Sequence, residues 1–529
     1  MSSDNKYGTL RFILWSLIML LVGSIVTKVM YNRQDRQALR VSGHGWDKLA
    51  LVLQQIDANY VDTVDYAEFT EAILPLIMNE LDPHSVYLPP VSLQQADQEL
   101  EGKFDGIGIT FNVPEDTAIV INAIPGGPSE RAGIISGDRI IAVDGDTVAG
   151  VHINQDTLVS MLKGPSGSEV RLDILRDGES VVFDVTRDKI PVKSIDAAYM
   201  IDDTTGYVRL SKFTRTSYQE FEQALPGLME SGMRRLIFDL RGNTGGYLDQ
   251  ALLLSNEFLP DGSLIVYMEG AHRPRQDFYA DGAGKCQDLS LSVLIDENSA
   301  SSSEIFAGAM QDNDRADIYG RRSYGKGVVQ EPIYFTDNSG IRLTVARFYT
   351  ATGRCIQKPY TPGGTDYIYD IYERYRHGEM MDADSIPRND SLRFVTPKGK
   401  VVYGGGGIIP DVFVPIDTAG VTALLASVNR QALTVKYSSE VADIYRSQLR
   451  EVEDMAELNV LLDSMDLEKG FLAYMRSRGM DVDMAQWRIS RDVVLTQLRA
   501  LVGRYSTLDD RAFYQILAGI DNVIQTALK

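Results

Sequence analysis

A cluster of serines followed by a lysine between two glycines defines the chemistry to look for. The stretch Asn298-Ser299-Ala300-Ser301-Ser302-Ser303-Glu304 offers four hydroxyls where a strand pattern gives way to a helix pattern, and Lys326, between Gly325 and Gly327, follows 25 residues after Ser301. A serine hydroxyl is a poor nucleophile until a base removes its proton. Lysine can be that base only when neutral, which requires burial to bring its pKa from about 10.4 toward roughly 7–8. The oxyanion that forms at an attacked carbonyl needs backbone N–H donors. Gly245, Gly246 and the amide of Ser302 can supply them, and a helix starting just past Ser301 adds its positive end. Other readings stay open at this level. Ser299 and Ser303 are equally plausible hydroxyls by composition, and Ser301-x-x-Glu304 is also a capping box. Gly320 to Lys326 satisfies most of a phosphate-binding loop but has Gly327 where a magnesium-holding Ser or Thr belongs, and Val328-Val329-Gln330 reads as strand where that loop needs a helix.

These residues require a scaffold of strands and helices. Residues 191–350 alternate the two: Tyr207-Val208-Arg209-Leu210 and Leu236 to Leu240 read as strands, Tyr218 to Met229 as a helix, Tyr247 to Phe258 as another, and Ser292 to Asp296 as the strand before the serines. Repeated strand–helix units imply a mainly parallel sheet, and such sheets form their sites at the carboxyl ends of strands. Both Gly245-Gly246 and the serine cluster fall there. Residues 103–190 are different: short β-branched runs separated by Pro125-Gly126-Gly127-Pro128, Asp144-Gly145 and Asp177-Gly178. This β-rich module, with Gly106-Ile107-Gly108-Ile109, Ala132-Gly133-Ile134 and Gly137-Asp138-Arg139-Ile140, resembles a PDZ domain. In such a domain the glycine loop turns backbone N–H groups toward a peptide carboxylate, which assigns Gly106, Ile107, Gly108 and Ile109 that role, and the following strand pairs with an extended peptide.

Five sections follow from the pattern: an N-terminal anchor and linker at 1–43, a helical region at 44–102, the PDZ-like module at 103–190, an α/β core at 191–435 and a helical C-terminal region at 436–529 whose role the sequence leaves open. Residues 12–26 carry no charge and, with their flanks, approach one bilayer crossing, so a signal anchor is expected. Lys28, Arg33, Arg36 and Arg40 follow it, which by the positive-inside rule argues for a cytoplasmic location of what comes next. Asp82-Pro83-His84-Ser85 reads as a turn and not as a Ser-His-Asp triad. Tyr367 to Asp384 reads as a surface insertion, and Gly404 to Gly407 as a flexible loop or a tight packing corner. Net charge is −21, which argues against a nucleic-acid binder. Five scattered histidines lack metal-ligand spacing, Cys286 and Cys355 read as unpaired thiols, and no metal or cofactor is expected.

The serine segment, Ala307 to Asp312, Gly325-Lys326-Gly327-Val328-Val329-Gln330 and Asp239 to Gly246 together resemble the signature of the C-terminal processing peptidases, also called tail-specific proteases. Asp82 to Ser85 and Gly404 to Asp411 match further landmarks of that family, and the likeness spans about residues 45–415. It implies a multidomain α/β fold: a crotonase/ClpP-like peptidase core, an inserted PDZ domain and helical terminal regions. It also implies a serine endopeptidase acting on proteins with exposed C-terminal tails, with Ser301 as nucleophile, Lys326 as base, Gln330 holding the lysine amine, and Asp312 and Glu304 as accessory acids. Ser302 departs from the family's usual alanine. The resemblance further implies a catalytic region on the periplasmic side of the cytoplasmic (inner) membrane, against the flanking charges, and the helical terminal regions suggest a homodimer. The competing readings are a membrane-anchored peptide-binding adaptor without activity and an acyl-CoA enzyme of related fold.

Overall fold

The computed structural model describes residues 4–34 and 45–529. His44 and most of the expected linker, residues 35–43, lie outside the described residues. The chain divides into two compact units, Met1–Leu74 and Pro75–Lys529. The first holds helices α1 (Asp4–Gln34) and α2 (Gly45–Asn59), and α3 (Tyr66–Asn79) runs across the division. The membrane anchor expected within α1 is not supported. Among the described residues no helix is long and apolar enough to cross a membrane. The uncharged run between Arg11 and Lys28 rises only about 24 Å as a helix, short of the roughly 30 Å hydrocarbon layer. A placement of the catalytic region beyond an inner membrane has no structural support either.

In the second unit, β1 (Val86–Leu88) and α4 (Pro90–Glu101) lead into β2 (Lys103–Gly106). Strand β1 was not foreseen within the helical stretch. The β-rich module then follows: β3 (Ile109–Asn112), β4 (Ala118–Ala123), α5 (Pro128–Ala132), β5 (Arg139–Val143), β6 (Asp146–Thr147), α6 (Gln155–Leu162), β7 (Glu169–Arg176) and β8 (Glu179–Thr186). Its sheet runs β3-β4-β5-β7-β8, with β6 on β5, around Val120, Ile140, Leu158, Leu172 and Ile174. Strand β3 therefore lies at an edge. The chain leaves through β9 (Asp188–Pro191), which pairs antiparallel with β2 from Lys103↔Pro191 to Gly106↔Asp188. The module is an insertion on a two-stranded neck.

The core begins with β10 (Ile195–Met200), β11 (Thr205–Leu210), α7 (Ser217–Glu230), β12 (Arg235–Asp239) and α8 (Leu248–Asn256). After the hairpin β13 (Leu264–Gly270) and β14 (Arg273–Tyr279) come β15 (Ser290–Ile295), α9 (Ser302–Asp312), β16 (Asp317–Gly320), β17 (Val328–Tyr334), β18 (Gly340–Thr350) and α10 (Asp366–Arg376). Short strands β19 (Arg393–Val395), β20 (Val401–Tyr403) and β21 (Val412–Phe413) follow. The main sheet runs β10-β11-β12-β15-β16-β21, parallel from β11 onward. Its strands are buried on both faces, which is why they read as unbroken apolar runs. Leu236, Phe238, Val293 and Ile295 point to Phe221, Leu254, Phe306 and Met310 of α7, α8 and α9. Ile237 and Leu294 point the other way. A second, antiparallel sheet is made of β1, β18, β13 and β14, with β17 also on β18.

The C-terminal helices are α11 (Ala423–Arg430), α12 (Leu433–Ile444), α13 (Arg446–Glu451), α14 (Met455–Ser464), α15 (Leu467–Ser477), α16 (Met484–Gly503), α17 (Asp509–Leu517) and α18 (Asn522–Leu528). They bridge the two halves of the unit. Val523, Ile524 and Ala527 cover Ile237 and Leu294 on the back of the main sheet. Val441, Leu449 and Leu458 pack with Ile121 of β4, and Arg446 reaches Asp177 and the Gly137 carbonyl of the β-rich module. The apolar helical faces that suggested a dimer, including Leu458, Leu462, Leu498 and Val502, are filled from within the chain.

Candidate active site

Ser301 sits between the carboxyl end of β15 and the first residue of α9 with φ 56° and ψ −114°. An ordinary N-cap has extended backbone, and a non-glycine residue at this φ is strained. A strained serine on a strand-to-helix turn is the arrangement that pushes a hydroxyl forward as a nucleophile. The neighbouring hydroxyls are committed elsewhere. Ser299 Oγ donates to Leu240 O (2.8 Å), Ser302 Oγ to Gly246 O (2.9 Å) and Ser303 Oγ to Asn243 O (2.8 Å). All three are buried while Ser301 is half-buried, which separates Ser301 from Ser299 and Ser303. The hydroxyl of Ser302 ties the glycine loop to the start of α9.

The Gly242–Gly246 loop lies against this turn. A Cβ on Gly245 (φ 97°) would stand 2.7 Å from Ser301 Cβ and 2.9 Å from Ser302 N, so only glycine fits. The Gly245 N–H, expected among the oxyanion donors, already donates to Asn243 Oδ1 (2.8 Å). Gly246 bridges to Phe213 through its neighbours, with Phe213 N donating to Gly245 O and Tyr247 N to Phe213 O. That pattern turns the Gly246 N–H away from Phe213, to the side where its carbonyl meets Ser302. The Ser302 amide is at the α9 N-terminus, where first-turn N–H groups have no intrahelical acceptor.

Glu304 connects the serine to the lysine. Its fully buried carboxylate accepts from Ser301 N (2.9 Å) and Lys326 N (2.8 Å) on Oε2, and from Gly325 N (2.7 Å) and Ser323 Oγ (2.5 Å) on Oε1. The Ser301 and Lys326 amides therefore lie no further apart than two hydrogen bonds laid end to end. Burial pushes the Glu304 carboxyl up, and the bonds from Ser323, Lys326, Gly325 and Ser301 pull it back. The capping box visible in the sequence is thus part of a longer connection. No helix follows Lys326; β17 does, which removes the phosphate-loop reading.

Burial lowers the Lys326 amine, Arg342 lowers it further, and Glu304 and Asp82 oppose both. His84 is lowered to about 4, by burial first and then by Lys326. The turn at residues 82–85 is built by Asp82, which accepts from the His84 and Ser85 amides (both 2.8 Å) and from Ser85 Oγ (2.6 Å). The His84 ring meets Tyr367 instead (2.7 Å), so no triad forms. Gln330 lies at a register shift in the β17–β18 ladder, a bulge that re-aims its side chain. Its Nε2 donates to the His84 carbonyl, not to the lysine.

Asp312 is not part of the site. It lies at the far end of α9, paired with buried Arg354 (2.6 Å) and accepting from Thr352 Oγ1 (2.6 Å). In the β-rich module, Ile107 and Gly108 are buried, and their carbonyls accept from Ser129 N and Ile124 N (both 3.0 Å). Gly106 closes β2 and Ile109 opens edge strand β3. Residues 404–407 form the tight corner, with Gly405 N and Gly407 N donating to Cys355 O and Ile356 O. Both cysteines are free thiols. Tyr367 falls in the stretch expected as a surface insertion, yet its side chain is buried, and nothing local in the sequence marks it.

Comparison with known proteins fits this geometry. Residues 204–365 match peptidase family S41, and residues 106–186 match the PDZ domain. The chain is 31% identical over 315 residues to the carboxy-terminal processing protease CtpA of Bacillus subtilis (strain 168), covering 59% of this chain and 67% of that one. It is 30% identical over 352 residues to a probable CtpA-like serine protease of Staphylococcus aureus (strain N315), covering 65% and 70%. The chain belongs to the C-terminal processing peptidases of family S41. It is a serine-type peptidase with a PDZ domain. A solved photosystem II D1 C-terminal processing protease is 24% identical, with 70% of this chain and 87% of that chain covered at a TM-score of 0.38.

Proposed function

We propose that the chain is an endopeptidase in which Lys326, neutral in its buried setting, takes the proton of Ser301 as the hydroxyl attacks a peptide carbonyl. The observation that carries this reading is the shared Glu304 oxygen, which accepts from the backbones of both residues. The Gly246 and Ser302 amides stabilise the oxyanion, with Gly245 providing the close approach. The lysine then gives its proton to the leaving amine, and water hydrolyses the acyl-enzyme. Gln330, anchored by Nε2 to the His84 carbonyl, keeps its Oε1 to accept from the lysine amine. The α/β core with glycine-loop donors is of the crotonase/ClpP-like kind. The PDZ domain takes the substrate's C-terminal tail as an added strand on β3, with the carboxylate at the Gly106–Ile109 turn.

The test is cleavage of an unfolded protein with an apolar C-terminal tail by the full chain and by Ser301→Ala and Lys326→Ala. The reading expects activity in the wild type and loss in both variants with folding retained. Cleavage unchanged in Ser301→Ala refutes the nucleophile. Tail binding without cleavage by the wild type favours the adaptor reading.

A further inference from the structure

Three hydrogen-bonding groups outside the serine–lysine–glutamine set meet at one phenol. The Tyr367 OH lies 2.7 Å from His84 Nε2, accepts from Gln357 Nε2 (3.1 Å) and is 3.4 Å from the Gly325 carbonyl. A phenol has one proton and two acceptor positions, so these three contacts use its full capacity. Gln357 in turn accepts from Gly327 N through Oε1 (2.9 Å). The loop is thereby held on both sides of Lys326, at the carbonyl before it and the amide after it. The same His84 that meets the phenol receives Gln330 Nε2 on its main-chain oxygen. The Tyr367 ring is fixed too, with the Lys358 ammonium 4.1 Å from its centroid and Asp370 holding that ammonium at 3.0 Å. The match to peptidase family S41 covers residues 204–365, so Tyr367 lies just past the matched residues.

We infer that Tyr367 is a positioning residue for the general base: through its hydroxyl, His84 and Gln357 it holds the Gly325–Gly327 loop closed around Lys326. The inference rests on the serine–lysine reading above. The groups facing the lysine amine are Glu304 of α9, Asp82 and His84 of the turn before β1, and Arg342 of β18. None of these changes when the phenol loses its oxygen. Loosening the loop admits water, weakens the burial that lowers the amine, and raises its pKa.

The experiment is kcat and KM against pH for the full chain, for Tyr367→Phe, for His84→Phe and for the double variant. Both single variants keep the bulk of an aromatic ring, and His84→Phe keeps the carbonyl used by Gln330. The expected result is a fall in kcat of about tenfold with KM little changed. The ascending limb of the profile, along which activity rises as the lysine deprotonates, moves to higher pH in both single variants, and the double variant is no worse than either. If one single variant does not fold, the other still tests the limb. Ser301-dependent cleavage with an unmoved limb in every folded variant overturns the inference and leaves the serine–lysine reading standing. Cleavage that survives Ser301→Ala overturns the serine–lysine reading itself.

Discussion

Replacing Glu304 by glutamine changes one oxygen to an NH₂ group and tests the connection between serine and lysine directly. The carboxylate accepts four bonds, two on each oxygen. A glutamine keeps an acceptor for two donors and presents N–H groups to the other two. Each buried donor left unsatisfied costs about 1–3 kcal/mol, a loss of roughly 2–6 kcal/mol. Removing a buried charge returns part of that, because burial opposes ionisation of this carboxyl. The net expectation is about 2–4 kcal/mol of stability, read as a lower urea midpoint with unchanged slope. Activity should fall further than stability alone dictates, by at least about 100-fold in kcat/KM under conditions where the variant is fully folded, since each 1.4 kcal/mol in the transition state is tenfold. Glu304→Asp should fare no better, because the shorter side chain cannot span from Ser301 N to Gly325 N. A Glu304→Gln protein within about 0.5 kcal/mol of wild type, and within threefold in kcat/KM, would refute the view that this carboxylate unites the two loops.

Further outcomes follow from the same geometry. Gly245→Ala should abolish cleavage and cost about 2 kcal/mol or more, since its Cβ meets Ser301 and its φ of 97° is strained for alanine; activity and thermal unfolding check this. Ser302→Ala should cost only about 1 kcal/mol and leave cleavage within tenfold, because the oxyanion donor proposed above is the amide and the hydroxyl merely meets Gly246 O. His84, lowered from 6.5 to about 4, binds fewer protons folded than unfolded. Its contribution is therefore complete above pH 6.5 and is lost as pH falls from 6.5 toward 4, by about 3 kcal/mol at most. Urea titrations over that window should show a steeper acid loss for wild type than for His84→Phe.

The main strands were legible because burial on both faces makes them continuous apolar runs, as at Leu236 to Leu240. The pairing of Ser301 with Lys326 was legible through the resemblance to the family's signature more than from the residues alone, and the glycine loop declared itself by position after a strand. Other features depend on contacts between distant parts of the chain. Glu304 looked like a local cap because its bonds to Gly325 and Lys326 span more than twenty residues. Tyr367 looked like surface because its partner His84 lies 283 residues away. Gly245 kept its place beside Ser301 but not its free amide, since Asn243 competes for it. The C-terminal helices showed their apolar faces without showing whether these cover Ile237, Ile121 or another copy of the chain.

The neck formed by β2 and β9 has a consequence for how such a protein can change over time. Gly106 and Asp188 face each other across the ladder, so the inserted module begins and ends one strand spacing apart. A short turn could join those two points and leave the order of every catalytic element intact. The PDZ domain is thus a removable cassette in the gene: it can be exchanged, duplicated or retuned without reordering the elements of the core. The constraint on such exchange lies at the helical side, where Arg446 meets Asp177 and the Gly137 carbonyl. A transplanted module would have to bring matching groups for that arginine, so the C-terminal helices are the place to look for co-inherited changes.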